Sequence, residues 1–281
     1  MSIQNEAILV TLVVKAWTAR KKDRTATEEA INGLNAAADA GNFNKVLVPP
    51  EKLKPIQKAA TRLRKEFYKR TVPWGENGQY IVSSSSYVDF CRAMSPLVDE
   101  FDNAADEFAQ EYPLLAQEAA MRLQGMYDPR EYPSPEQVRA KFQVKLDVAP
   151  VPSSDHLLLN IEENALKELK GEVDGRIQEN VKAVTKNLWG RLYQAVSHMA
   201  ERLADEDAVF RNTLVTNIQE LLDLLPALNV TKDEELEKMV REVREKLTVC
   251  EPDELRKDEI VRKDVARDAA DIVSRMRGVF G

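Results

Sequence analysis

Apolar positions repeat at two periods along this chain, and the period decides which element each stretch predicts. Ala7–Trp17 runs Ala-Ile-Leu-Val-Thr-Leu-Val-Val-Lys-Ala-Trp. A short run rich in β-branched residues and ending in an aromatic predicts a strand buried over most of its length. Gly78–Ser83 predicts a second strand. Residues 142–148 alternate apolar and polar side chains and predict a third. Elsewhere the helical period prevails. In Glu51–Arg70, Leu53, Ile56, Ala60, Leu63 and Phe67 recur at spacings of 3, 4, 3 and 4, which makes one apolar stripe. Residues 86–124 carry Phe90, Met94, Leu97, Phe101, Ala105, Phe108 and Tyr112, the pattern of a long helix. Ser86 and Asp89 occupy capping-box positions at its start, and Pro96 and Pro113 predict kinks or restarts. From Leu166 to Leu203 a single stripe repeats every 3.7 residues or so, nearer the relaxed helix than a strict heptad.

Punctuation places the remaining boundaries. Thr27, Glu28 and Glu29 open a short helix over Ala30–Ala40 that Gly41 stops. Val72-Pro73-Trp74-Gly75 reads as a break after the 51–70 helix. Ala149–Ser154 (Ala-Pro-Val-Pro-Ser-Ser) reads as a linker. Three further helices are expected: Phe210–Leu225 ended by Pro226, one capped by Thr231 and running to Thr248, and one opening at Pro252. The expected class is α+β, predominantly α. A small antiparallel or mixed sheet packs on the 51–70 helix, beside a long antiparallel, coiled-coil-like helical bundle. Residues 1–150 are expected to form an α+β domain with a long helical arm, and residues 151–281 an all-helical domain.

Charge divides the 281 residues unevenly. Residues 1–75 hold 14 Lys/Arg against 7 Asp/Glu, whereas residues 76–281 hold 26 against 40. Such a split predicts an electrostatic partner for the front and a solvated helical scaffold behind. Arg20, Lys21 and Lys22 form a basic run, and Lys58, Arg62, Lys65 and Lys69 fall at helical spacing beside the apolar stripe of residues 51–70. Two uses suit these cations: tracking a phosphate backbone, or pairing with acidic helices of this chain or of a protein partner. No interleaved aromatic platform accompanies them, which favours the second use.

Candidate chemistry is sparse. Asp99, Asp102 and Asp106 lie one turn apart, a spacing that fits a cation site or an ordinary acidic face. His156 and His198 belong to no ligand pattern, and Cys91 and Cys250, the only cysteines, to no zinc or disulfide framework. Trp17, Trp74 and Trp189 suit core closure better than a binding role. Phosphate-binding glycine loops and nucleophile elbows are absent, so no cofactor and no metal are expected. The apolar run at Ala7–Val14 is too short for a membrane span and lacks signal-peptide flanks, so the expected setting is a reducing cytoplasm.

Several segments together resemble a family of uncharacterised bacterial and bacteriophage proteins. They are the apolar strand entering Trp17-Thr-Ala-Arg-Lys-Lys22, then Pro49-Pro50-Glu-Lys-Leu53, the basic helix with Leu63 and Phe67, the turn leading to Tyr80-Ile-Val82, and Phe142-Gln-Val144. The resemblance covers about the first 150 residues. It implies genes near MoxR-type AAA+ ATPases and von Willebrand A-domain proteins, a phage or prophage setting, and an ATPase partner, but no active site. The functional expectation is a non-enzymatic, self-associating adaptor that engages another protein machine. The alternative is a nucleic-acid-binding accessory factor using Arg20, Lys21, Lys22, Lys58, Arg62, Lys65 and Lys69.

Overall fold

The computed structural model describes residues 3–157, 159, 162–205 and 211–280. In chain order the elements are α1 (Ile3–Glu6), β1 (Ala7–Lys15), β2 (Arg20–Lys22), α2 (Arg24–Gly33), β3 (Asn44–Val46), α3 (Pro50–Lys69), β4 (Val72–Trp74) and β5 (Gln79–Ser83). They continue with α4 (Tyr87–Leu123), α5 (Pro135–Arg139), β6 (Gln143–Pro150), α6 (Glu163–Ala204), α7 (Thr213–Leu228), α8 (Glu234–Leu247), α9 (Pro252–Lys257) and α10 (Glu259–Phe280). The class is α+β and predominantly α, as the two periodicities require. One sheet has the order β4-β5-β1-β6, with β1 and β4 both antiparallel to β5, and β2 pairs with β3 in a second small sheet.

Two compact units share the chain in an interleaved way. Unit 1 holds residues 1–11, 70–90 and 147–281, and unit 2 holds residues 12–69 and 91–146. In unit 1 the apolar stripe of α6 is buried from Val184 to Leu203 against α7, α8 and α10. Earlier on the same stripe Leu166, Leu169 and Val173 are half-buried. Val151 of the expected linker is buried in the unit 1 core, and Ala149 and Pro150 belong to β6. In unit 2 the core is Leu53, Ile56, Ala60, Phe101, Ala105, Phe108, Tyr112 and Phe142, with Trp17 packed against it.

Several elements depart from the sequence reading for identifiable reasons. Residues 72–74 form a strand, because Pro73 sits on the outer strand of the sheet, where a missing N–H breaks no central ladder. Gly75 and Gly78 close the β4–β5 loop at φ +64° and +68°, which side chains bearing a Cβ rarely adopt. Burial of β1 is confined to Ala7, Leu9 and Val10, and its later residues are half-buried or exposed. Asp23 caps α2 by accepting from the Ala26 N–H at 3.0 Å, so that helix begins and ends earlier than Gly41 suggests. Pro96 and Pro113 lie inside an unbroken α4, and Pro226 lies within the last turn of α7. Ser86 ends a 3-10 turn, and its hydroxyl donates to the carbonyls of Ser83 and Ala227 at 3.3 Å. The expected start at Phe210 lies outside the described residues. Asp233, not Thr231, caps α8, accepting from the Glu235 and Leu236 N–H groups and from the Trp189 indole at 2.9 Å. Asp258 divides the last expected helix in two, because its carboxylate accepts from the Ile260 and Val261 N–H groups.

Glu242 of α8 ties down α10 and sets a pH dependence. It accepts from both terminal nitrogens of Arg275 at 2.5 and 2.9 Å and pairs with Lys246 at 2.9 Å. The hydrogen bonds from Arg275, then that from Lys246, lower its pKa to about 2. A depressed carboxyl stabilises the fold above its unfolded value, and the gain fades as pH falls through the folded value. The Arg275 side chain is 45% exposed, so screening limits the gain to about 1 kcal/mol. Glu242→Gln is therefore expected to lower stability by that amount at pH 7, measured by urea unfolding. The gap should close between about pH 4.5 and about pH 2. A gap that does not narrow with acid contradicts this account.

Candidate functional site

The basic helix predicted from sequence forms one wall of an open groove in unit 2. Helix α3 contributes Lys54, Lys58 and Arg62, and α4 faces them with Asp99, Glu100 and Glu107. Pro55, Ala59, Pro96 and Ala104 also line the groove, whose volume is about 910 Å³. Small and cyclic side chains keep it open, while the apolar stripe of α3 turns Leu53, Ile56, Ala60 and Leu63 into the core. The walls therefore carry opposite charge.

Ion pairs couple the walls at separate points. Arg62 donates to Glu100 at 2.7 Å across the groove. Lys52 is hydrogen-bonded to Glu111, and that bond holds the lysine pKa above its ordinary value. Lys58 lies between these pairs in sequence, exposed and without an ion pair among the described residues. Lys65 is exposed and Lys69 half-buried, and neither lines the groove. The structure thus brings Lys58 and Arg62 into one site and leaves Lys65 and Lys69 outside it.

Arg20, Lys21 and Lys22 form β2, with all three side chains exposed. Their register is Arg20↔Val46, Lys21↔Lys45 and Lys22↔Asn44. Lys21 pairs with Glu131 at 3.5 Å. Beneath the strand pair Lys45 is 5% exposed and meets Glu131 at 2.7 Å, Asp23 at 3.2 Å and the Met126 carbonyl at 2.8 Å. Burial opposes its charge, but the hydrogen bonds to Glu131 and Asp23 prevail and raise its pKa. Asp23 moves the other way, held below its ordinary value by the Ala26 N–H first and also by Lys45. One carboxylate thus caps α2 and neutralises the buried ammonium.

The remaining candidates find structural places. Asp102 and Asp106 both accept from Arg139, at 2.9 Å for Asp102, so two of the three aligned aspartates serve an ion-pair cluster. Trp17 packs edge-on against Phe108 and Tyr112, with the Lys141 ammonium 5.8 Å from its ring centre. Burial pushes the Tyr112 phenol up to about 12. Trp74 and Trp189 belong to the unit 1 core. Cys91 is half-buried. Burial first, then Glu254, raises the Cys250 thiol, which makes it a poor nucleophile. His156 sits exposed in a short 3-10 turn.

Sequence reasoning missed Lys45, and of the acidic wall it singled out Asp99 but neither Glu100 nor Glu107. Lys45 sits in Phe43-Asn44-Lys45-Val46-Leu47, and a lysine within so short a strand carries no mark of burial. The acidic wall did have a signal. Glu100, Asn103 and Glu107 recur at helical spacing on α4, although nothing local says that α3 lies opposite.

Fold and groove define a helix-rich α+β protein that carries a two-signed channel on its surface. The family described as a protein of unknown function, DUF3150, matches residues 4–265, and the chain belongs to that family. Neither a curated protein nor a solved structure matches it. No helix among the described residues is long and apolar enough to cross a membrane.

Proposed function

We propose that this is a non-enzymatic interaction protein, phage- or prophage-encoded and self-associating, that engages another protein machine such as an AAA+ ATPase or a host factor. The observation that carries the reading is the pairing of walls in the α3–α4 groove. Lys58 and Arg62 attract anions, but Asp99, Glu100 and Glu107 repel a phosphate backbone from the same channel. A protein segment bearing both signs of charge satisfies both walls, and such complementarity fixes partner and register. Uncovered apolar side chains favour self-association. Leu114 and Met121, two turns apart on α4, are 54% and 75% exposed.

The alternative keeps a specific observation of its own. Arg20 and Lys22 stand exposed on β2 with no ion pair among the described residues, a disposition that also suits a nucleic-acid backbone.

Parallel affinity captures from native cells with wild type and Lys58→Glu/Arg62→Glu separate the readings. One dominant protein should be recovered with wild type and reduced about tenfold or more with the variant, the loss that two charge reversals at an interface bring. Light scattering should show a multimer. A monomer that retains no protein overturns the proposal. Micromolar binding of DNA or RNA that weakens steeply with salt, and is lost in Lys58→Glu/Arg62→Glu/Lys65→Glu, selects the alternative.

A further inference from the structure

The α3–α4 groove has a floor and two charged rims, and together they specify the form of what fills it. Lys54, Lys58 and Arg62 recur every four residues along α3, and Asp99, Asn103 and Glu107 do the same along α4. Residues at that spacing share a helix face and lie about 6 Å apart along its axis. Arg62 is committed to Glu100. Lys54, Lys58, Asp99 and Glu107 are exposed and have no ion pair among the described residues. All of them lie in unit 2, whose residues are all described. Each rim therefore offers two charges to an incoming segment.

The floor decides between a helix and an extended chain. It is made of Pro55, Ala59, Pro96 and Ala104, all small or cyclic. Small residues at a contact let helices pack at the short end of the usual range, about 8 Å between axes. Both walls are helices, so no strand edge faces the groove. Gln57 and Asn103 are the only amide side chains among the described lining residues, and the Thr61 hydroxyl already donates to the Gln57 carbonyl. An extended segment laid here would bury N–H and C=O groups without partners, whereas a helix arrives with its own already paired. From Pro96 to Glu107 the groove follows α4 for about 16 Å, roughly three turns of helix.

We infer that the α3–α4 groove receives one amphipathic helix of a partner protein. That helix carries small residues on its buried ridge, Glu or Asp along the edge facing α3, and Lys or Arg along the edge facing α4. The inference rests on the adaptor reading of the same groove and adds the form of the partner. Turning such a helix end for end exchanges its edges, so the wall charges also fix the direction in which it lies.

Calorimetry on the full chain at low salt, with synthetic peptides of about 18 residues as probes, tests the inference. The first peptide is a helix former with an alanine ridge, glutamates along one edge and lysines along the other. A second has the same composition with the charges intermixed between the edges, and a third carries proline at its centre. The first should bind with a Kd of about 100 μM or tighter, and the other two at least about tenfold more weakly. Lys54→Glu/Lys58→Glu should weaken the first peptide about tenfold, and so should Asp99→Lys/Glu107→Lys, with circular dichroism unchanged. The four changes together should restore most of the binding, because the helix then lies in the reverse direction. Should a reversal variant fail to fold, Lys54→Gln/Lys58→Gln should still weaken the peptide about threefold. Equal binding of the three peptides, no binding of the first, or a quadruple variant as weak as either double overturns the inference. So does a wild-type dimer, seen by sedimentation, that Lys54→Glu/Lys58→Glu dissolves, because a second copy then fills the groove. If capture from native cells depends on Lys58 and Arg62 while no helical peptide binds, the adaptor reading stands and the helical occupant falls.

Discussion

Phe108→Ala is expected to destabilise unit 2 by about 3–5 kcal/mol, the range for truncating a buried aromatic to alanine. Phe108 is 3% exposed and stands at the centre of an aromatic cluster. Its ring centre lies 5.6 Å from Phe142, 6.1 Å from Tyr112 and 6.4 Å from Trp17. The contacts with Phe142 and Trp17 are edge-on, at 76° and 65°, which sets the positive ring edge against the negative face. Alanine removes all three contacts at once. The surrounding groups come from α4, from the segment before β6 and from the segment after β1, so no single shift refills the space. Urea unfolding should show the loss, and the near-ultraviolet dichroism of Trp17 should weaken in the folded variant. A cost below about 1 kcal/mol would show that the cluster tolerates collapse and is not the keystone of this core.

Lys45→Met is expected to cost about 3 kcal/mol, the lower end of the range for breaking a buried ion pair. Methionine matches the lysine stem in length but leaves Glu131 and Asp23 without their shared ammonium, with side chains only 10% and 12% exposed. The pH dependence follows from the two shifts. The raised lysine contributes in full below its ordinary pKa and loses its effect as pH rises through the folded value. The depressed Asp23 contributes above its ordinary value and loses its effect as pH falls through the folded one. The difference between wild type and variant should be widest between about pH 4 and about pH 10. Hydrogen exchange should accelerate in residues 20–46 and 126–132. Adding Glu131→Leu to Lys45→Met should recover part of the loss by removing a carboxylate left with only its 3.5 Å pair to Lys21. A flat pH profile, or no recovery in the double variant, would mean that Lys45 acts through packing alone.

How much of this was legible in the sequence depended on the range of the interaction concerned. The stripe Leu53, Ile56, Ala60, Leu63 and Phe67 foretold α3 within a residue or two, because a helix writes its buried face at a fixed local period. The same reasoning found β5 and the first residues of β6. It missed β2, where Arg20, Lys21 and Lys22 are all exposed and no alternation exists to read. It also missed β4, because Pro73 signals a break unless the strand is known to lie at a sheet edge. Of the seven cations proposed as a surface, Lys58 and Arg62 meet in the groove. The others are distributed by distant pairings such as β2 with β3.

The sequence by itself determined the class of this protein: two periodicities, one short and β-branched, the other long and helical, admit little besides a small sheet with extended helices. It also placed the basic stripe on α3, since residues four apart on a helix share a face. Only the tertiary structure decided what those charges meet. The acidic wall of α4 opposite Lys58 and Arg62 and the carboxylates around Lys45 come from segments separated in sequence. Periodicity records which side of an element is buried, whereas a site depends on which other element arrives there, and that information is held in packing.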